Sequence, residues 1–198
     1  MGLAGSVWAC DALRIRRHGD IADTMTTEFQ AYMEHGILRG RLMTSGALGD
    51  LLELVDSLVV DDPAVALVGG GPEVRVERSV ISVDELWVIV APPGTRSPSQ
   101  AIWHEVVLEC GPFEVAARLP TKLGFDPDRQ ALRPGGTFVL LGEVGVTAAR
   151  SGVPAAIEHP LAWVNRYAVE AYSAELDLAA FFPGARHTIP AASSAGIR

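Results

Sequence analysis

The chain has 198 residues, 48% hydrophobic and 20% charged, which places its bulk among folded sequences and excludes a disordered one. A formal net charge of −8 weighs against nucleic acid, whose phosphates call for Lys and Arg, and against an anionic membrane surface. No apolar run approaches the ~18 residues of a membrane-spanning helix; even "LVVDDPAVALV" is cut by Asp61, Asp62 and Pro63.

Residues 1–24 read as a loosely ordered leader around the polar run "RIRRHGD", with Met25 as an alternative start. "MGLAGS" matches a myristoylation pattern in its letters, and "VWAC" resembles a lipoprotein cleavage site at Cys10. Neither is expected to act, because no basic stretch precedes the apolar one and Trp8 fits poorly beside a cleavage point. Cys10 and Cys110, a hundred positions apart, form no disulfide framework and no CxxC metal pattern, so a reducing cytoplasm is the expected location.

The first folded segment, 25–90, opens with "FQAYMEHGILRGRLM", whose apolar positions Phe29, Ala31, Met33, Ile37, Leu38 and Leu42 predict a strand or hairpin. Leu48, Leu51, Leu52 and Val55 fall at i, i+3, i+4 and i+7, one face of a short helix. A strand follows at Leu58–Val60, then "DDP" as a turn, a strand at Ala64–Val68 and "GGGP" as another turn. "EVRVERSVISVDELWVIV" predicts two strands joined near Val83–Glu85. "APPGTRSPSQ", residues 91–100, is rich in Pro, Ser and Gly and reads as a linker.

The second segment, 101–173, repeats this plan. "HEVVLECGPFEVAARLP" alternates at Phe113, Val115, Ala117 and Leu119; "FDPDRQALRPGG" is turn-like; "TFVLLGEVGVTAA" stands where "SLVVDDPAVAL" stood. His35-Gly36 is set over Cys110-Gly111, Arg41-Leu42 over Arg118-Leu119, and "ERSVISVDELWV" without a gap over "EHPLAWVNRYAV". The chain is thus expected to be mainly β, with two small barrel-like domains in tandem and at most one short helix, in the first copy. A tail, 174–198, ends in the small polar stretch "AASSAGIR", expected to be disordered. Leu178, Phe181 and Phe182 in "LAAFF" are expected to dock on a barrel face or a neighbouring subunit.

Arg41-Leu42 with "GDLLELVDS" in the first copy, and "FVLLGEVGVT" with "VNRYAV" in the second, give a pattern that resembles a family of short bacterial β-domains of uncharacterised activity. The resemblance covers about two thirds of the chain and implies partly open barrels of the SH3/Sm-like type. It implies no activity.

No catalytic motif emerges. "GALGD", "VGGGPE" and the "GEVG" of 142–145 read as turns, since a P-loop lysine and the basic flanks of an RNA-binding GxxG loop are lacking. The histidines show no HxH or HExxH spacing; a site joining His35, Cys110 and His104 is conceivable across a two-fold axis, with packing at a strand bend as the ordinary alternative. Asp61-Asp62 is a carboxylate pair, but adjacent strand residues face opposite ways, so a turn is expected there. No catalytic residue, cofactor or metal is therefore expected, and the chain is read as a non-enzyme.

Trp87, Trp103, Trp163 and Tyr167 are expected at the seam between the copies, or else on a binding surface. The expected interaction surface comprises Trp87, Trp163, Tyr167, Arg166, Phe181 and Phe182, and the expected partner is the protein itself, as a homo-oligomer, or another protein. The alternative is a small-molecule or nucleotide-sensing module with a pocket lined by Arg41, Arg118 or Arg166.

Overall fold

A computed structural model of the chain describes residues 25–124, 135–148 and 156–189. The leader, Cys10, His18, most of "FDPDRQALRPGG" and the end of the tail lie outside the described residues. Within them the chain is mainly β. The hairpin of β1 (Met25–Met33) and β2 (Gly36–Thr44) turns at Glu34-His35; it alternates as the sequence does, with Phe29, Ala31, Leu38 and Leu42 buried and Arg39 and Arg41 turned away. Helix α1 (Leu48–Leu52) buries Leu48 and Leu52, two members of its apolar face. Then come β3 (Ser57–Leu67), β4 (Val74–Arg75), β5 (Arg78–Ser82), a 3₁₀ turn at Val83–Glu85 and β6 (Leu86–Val90).

Residues 91–100 carry no strand or helix. Beyond them lie β7 (Ala101–Cys110), β8 (Phe113–Lys122), β9 (Phe138–Ala148), β10 (Ile157–Asn165), β11 (Ala171–Ser173) and β12 (Arg186–Thr188). All the strands belong to one sheet. In each half the strand after the turn returns to the first strand of that half, giving the orders β6-β1-β2-β3-β5 and β11-β7-β8-β9-β10. Antiparallel pairing of β10 with β6 joins the halves. Among the described residues neither half closes, since β5 does not pair with β6 nor β10 with β11.

Two segments expected as turns lie inside strands. "DDP" falls within β3 and "GEVG" within β9. At both places the pairing skips a residue: Arg39 pairs with Ala64 and Arg41 with Asp61, while Ala116 pairs with Gly145 and Arg118 with Gly142. Each is a β-bulge whose extra residues sit on the third strand of the half, with Asp62 (φ 49°) and Glu143 (φ 50°) in the left-handed region. A bulge keeps the ladder on both sides, and it tolerates Pro63 because the chain is locally out of the hydrogen-bonding pattern.

These features align the halves more closely than letters do. Met33 and Gly36 bracket the first hairpin turn, Cys110 and Phe113 the second, an offset of 77 (110 − 33). The bulges give 81 on the third strand (143 − 62). The Val83 N–H donates to the Asp56 carbonyl (2.9 Å) and the Arg166 N–H to the Thr137 carbonyl (3.0 Å), an offset of 83 (166 − 83). The gapless overlay of "ERSVISVDELWV" is therefore two residues out of step with the pairing, and His35 matches Pro112 rather than Cys110.

Two apolar clusters fill the fold, one centred on each half. Their membership crosses the boundary. Tyr32 and Val88 belong to the cluster of the second half, and Phe138 to that of the first.

Candidate interaction surface

The C-terminal segment folds back onto its own chain. Leu178 and Phe182 are fully buried and Phe181 nearly so, all in the cluster of the second half. Arg166 clamps this segment: its guanidinium donates to the Phe181 carbonyl (2.8 Å) and to the Ala180 carbonyl. Arg166 stands where the first half has buried Val83, and it is itself 4% exposed. It lies inside the molecule, and of the six residues expected on the interaction surface it shares a buried position with Phe181 and Phe182. Tyr167 is exposed, with the Arg166 guanidinium over its ring at 5.6 Å.

Trp87 and Trp163 lie at the junction of the halves. Trp87, on β6, covers Gly111 in the β7–β8 turn, whose positive φ (55°) and close ring contact both require glycine. Trp163, on β10, lies over Gly49 of α1; a Cβ there would come within 2.9 Å of the ring. Trp103 instead covers Gly142 within the second half. The seam also holds Tyr32, whose ring meets Phe113 edge-on at 5.2 Å and whose hydroxyl is hydrogen-bonded to His159 Nε2 at 2.7 Å. Burial lowers the pKa of His159 and raises that of Tyr32.

The bulges open onto two related hollows. One, of about 730 Å³, is lined by Trp103, Glu105, Arg118, Glu143, Glu158 and Glu175 among others. Its smaller counterpart, about 310 Å³, is lined by Thr26, Arg41, Met43, Asp61, Asp62 and Glu77. In each, an arginine on the second strand pairs with the bulge carboxylate: Arg118 with Glu143 at 3.0 Å, and Arg41 with Asp62. Arg118 and Arg41 thus line concave surfaces, whereas Arg166 lines neither.

Cys110 is a free, fully buried thiol, its pKa pushed up to about 12 by burial and then by Glu170, so it carries no reactive thiolate near neutral pH. His35 is exposed in its turn and His104 is bonded to Thr121 Oγ1 at 2.8 Å. No group of three His, Cys, Asp or Glu residues among those described could hold a metal ion.

The sheet edges differ sharply. β10 is paired on both sides, to β9 and β6; among the described residues its counterpart β5 pairs only with β3. Beside this open edge Val59 and Val80, which face one another across β3 and β5, are 41% and 68% exposed, and Val74 and Val76 are half-exposed. The matching pair in the second half, Leu140 and Trp163, is partly covered by the first half, where α1 and Pro92-Pro93 share with them a hollow of about 970 Å³. Periodicity revealed the valines as strand residues, but edge position depends on which strand lies alongside, so their exposure was not predicted. Tyr172 was likewise missed: it stacks on His187 at 4.7 Å and donates to Asp177. Burial and that hydrogen bond push its pKa up to about 12.

Comparison with protein-family models, with curated proteins and with solved structures finds no match for the chain. No helix among the described residues is long and apolar enough to cross a membrane.

Proposed function

We propose that the chain is a non-enzymatic protein built from two tandem copies of a small, partly open β-unit of the SH3/Sm-like type, and that it works by self-association through a sheet edge in a reducing cytoplasm. The observation that carries this is the edge of β5, open among the described residues, beside exposed Val59 and Val80, whose counterparts in the second half are partly covered. An unpaired edge next to an apolar patch is a template for another strand. The identical strand order, bulges and turn hydrogen bonds of the halves support the tandem origin. Light scattering from 5 to 200 µM tests the association: a mass that climbs above one chain supports it, and a monomer throughout that range overturns it.

A second role, a small-molecule binding module, is favoured by the hollow at Arg118, whose volume of about 730 Å³ suits a ligand. Among the described residues that line it, four carboxylates, Glu105, Glu143, Glu158 and Glu175, accompany one arginine, which favours an amine over a nucleotide. A thermal shift by polyamines but not by nucleotides would support this role; no shift by either would remove it.

A further inference from the structure

The two halves are joined by one interface, and the structure holds both of its surfaces a second time. In the join, β10 pairs antiparallel with β6: Ala162 opposite Val90, Trp163 opposite Ile89 and Val164 opposite Val88. The counterpart of β10 is β5, whose outer edge has no partner strand among the described residues. The counterpart of β6 is β11, because each is the strand that follows the turn and returns to the first strand of its half. The edge of β11 that corresponds to the joining edge of β6 is covered by β12, which pairs with it in parallel over three residues.

β12 is a thin cover. Arg186, His187 and Thr188 are all exposed. Besides the short ladder with β11 and the stack of His187 on Tyr172, the strip is tied through those residues by the Arg186 N–H to the Glu170 carbonyl (3.0 Å), the Thr188 hydroxyl to the Tyr172 carbonyl (3.0 Å), and His187 Nε2 with the Ala174 carbonyl (3.1 Å). The buried anchor of the segment, Leu178 to Phe182, lies upstream, so β12 can leave β11 without removing those side chains from the core.

Building on the self-association proposed above, we infer that the partner of β5 is β11 of a second copy, and that β12 is the strand it replaces. The halves would then meet between chains as they meet within one. With offsets of 83 on both strands, the internal register carries over to Ser79 opposite Ser173 of the second copy, Val80 opposite its Tyr172 and Ile81 opposite its Ala171. Val59 and Val80 would be partly covered there, as Leu140 and Trp163 are within the chain. Such a contact is head-to-tail, so it closes into a ring or runs on as a filament according to the angle between successive copies.

Two chains that each carry one introduced cysteine, Ser79→Cys and Ser173→Cys, on a Cys10→Ser background in which buried Cys110 is kept, test this pairing when mixed under mild oxidation at a concentration where the parent chain associates. The expected product on a non-reducing gel is the mixed disulfide dimer, at least five-fold above either homodimer. A chain ending at residue 185 should associate at a concentration at least ten-fold lower than the full chain. As a control for folding, Ser173→Cys with Thr188→Cys locks β12 to β11 in the full chain; the oxidised form should be monomeric and should associate again after reduction. A predominant Ser79→Cys homodimer, or a locked chain that associates as the parent does, overturns the β5–β11 pairing while leaving self-association standing. A monomer in every form, truncated chain included, overturns both.

Discussion

Asp62 and Glu143 share one unusual backbone conformation, with φ at 49° and 50°, and each holds an arginine from the neighbouring strand, Arg41 and Arg118. Side chains disfavour this left-handed region by roughly 1–2 kcal/mol per residue. The ion pairs are exposed and add at most about 1 kcal/mol each. Glu143→Val should therefore destabilise the chain by about 1–2 kcal/mol through strain at a β-branched residue. Glu143→Gly should change stability by less than about 1 kcal/mol, because relief of strain offsets the lost pair. Urea unfolding of both variants checks the order; equal losses would show that the backbone conformation is not what matters.

Arg166 occupies a buried site where the first half has Val83. Arg166→Ala should cost about 3–5 kcal/mol, since it removes the guanidinium's hydrogen bonds to the carbonyls of Ala180 and Phe181 and opens a cavity. Arg166→Lys should recover part of this, because an ammonium cannot reproduce the fork. Denaturant midpoints measure both, and a neutral Arg166→Ala would remove the clamp as a source of stability.

The Tyr32–His159 bond ties the halves at a site where burial lowers the histidine pKa. A histidine whose folded pKa lies below its unfolded value of 6.5 contributes stability at higher pH. That contribution is lost as pH falls through 6.5 toward the folded value. Stability between pH 7.5 and 5.5 should fall less steeply in His159→Gln than in the parent, as read from thermal midpoints.

Cys110 gives the opposite limb. Its folded pKa of about 12 exceeds its ordinary value of 9.0, so its contribution is complete below pH 9 and is lost progressively as pH rises toward 12. Tyr172, raised from 10.0 to about 12, adds to the loss above pH 10. Native chain at pH 8 should leave Cys110 unmodified by a thiol reagent, and Cys110→Ala should flatten the decline in stability between pH 9 and 10.5. Rapid native-state labelling of Cys110 would contradict its burial.

The strands were legible wherever burial on one face imposed alternation, as at Phe113, Val115, Ala117 and Leu119. Leu48 and Leu52 likewise announced the short helix. The bulges were not legible, because "DDP" and "GEVG" have turn chemistry and only pairing across the sheet shows that the strand continues through them. The tail showed its apolar content, and burial of Phe181 and Phe182 followed from it. The buried Arg166 did not, since nothing local distinguishes a guanidinium aimed at carbonyls from one aimed at water. The open edge of β5 was hidden for a related reason: Val80 and Trp163 sit at matching places, and only long-range pairing separates an exposed valine from a covered tryptophan.

Tyr32 and Phe138 each sit in the core of the opposite half. Severing the chain within residues 91–100 would give two pieces, each with a gap the size of an aromatic ring and each holding the ring that fills the other's. Neither piece should unfold cooperatively alone, and mixing them should restore a single transition. The linker, which carries no strand or helix, would then serve only to keep complementary fragments at high mutual concentration.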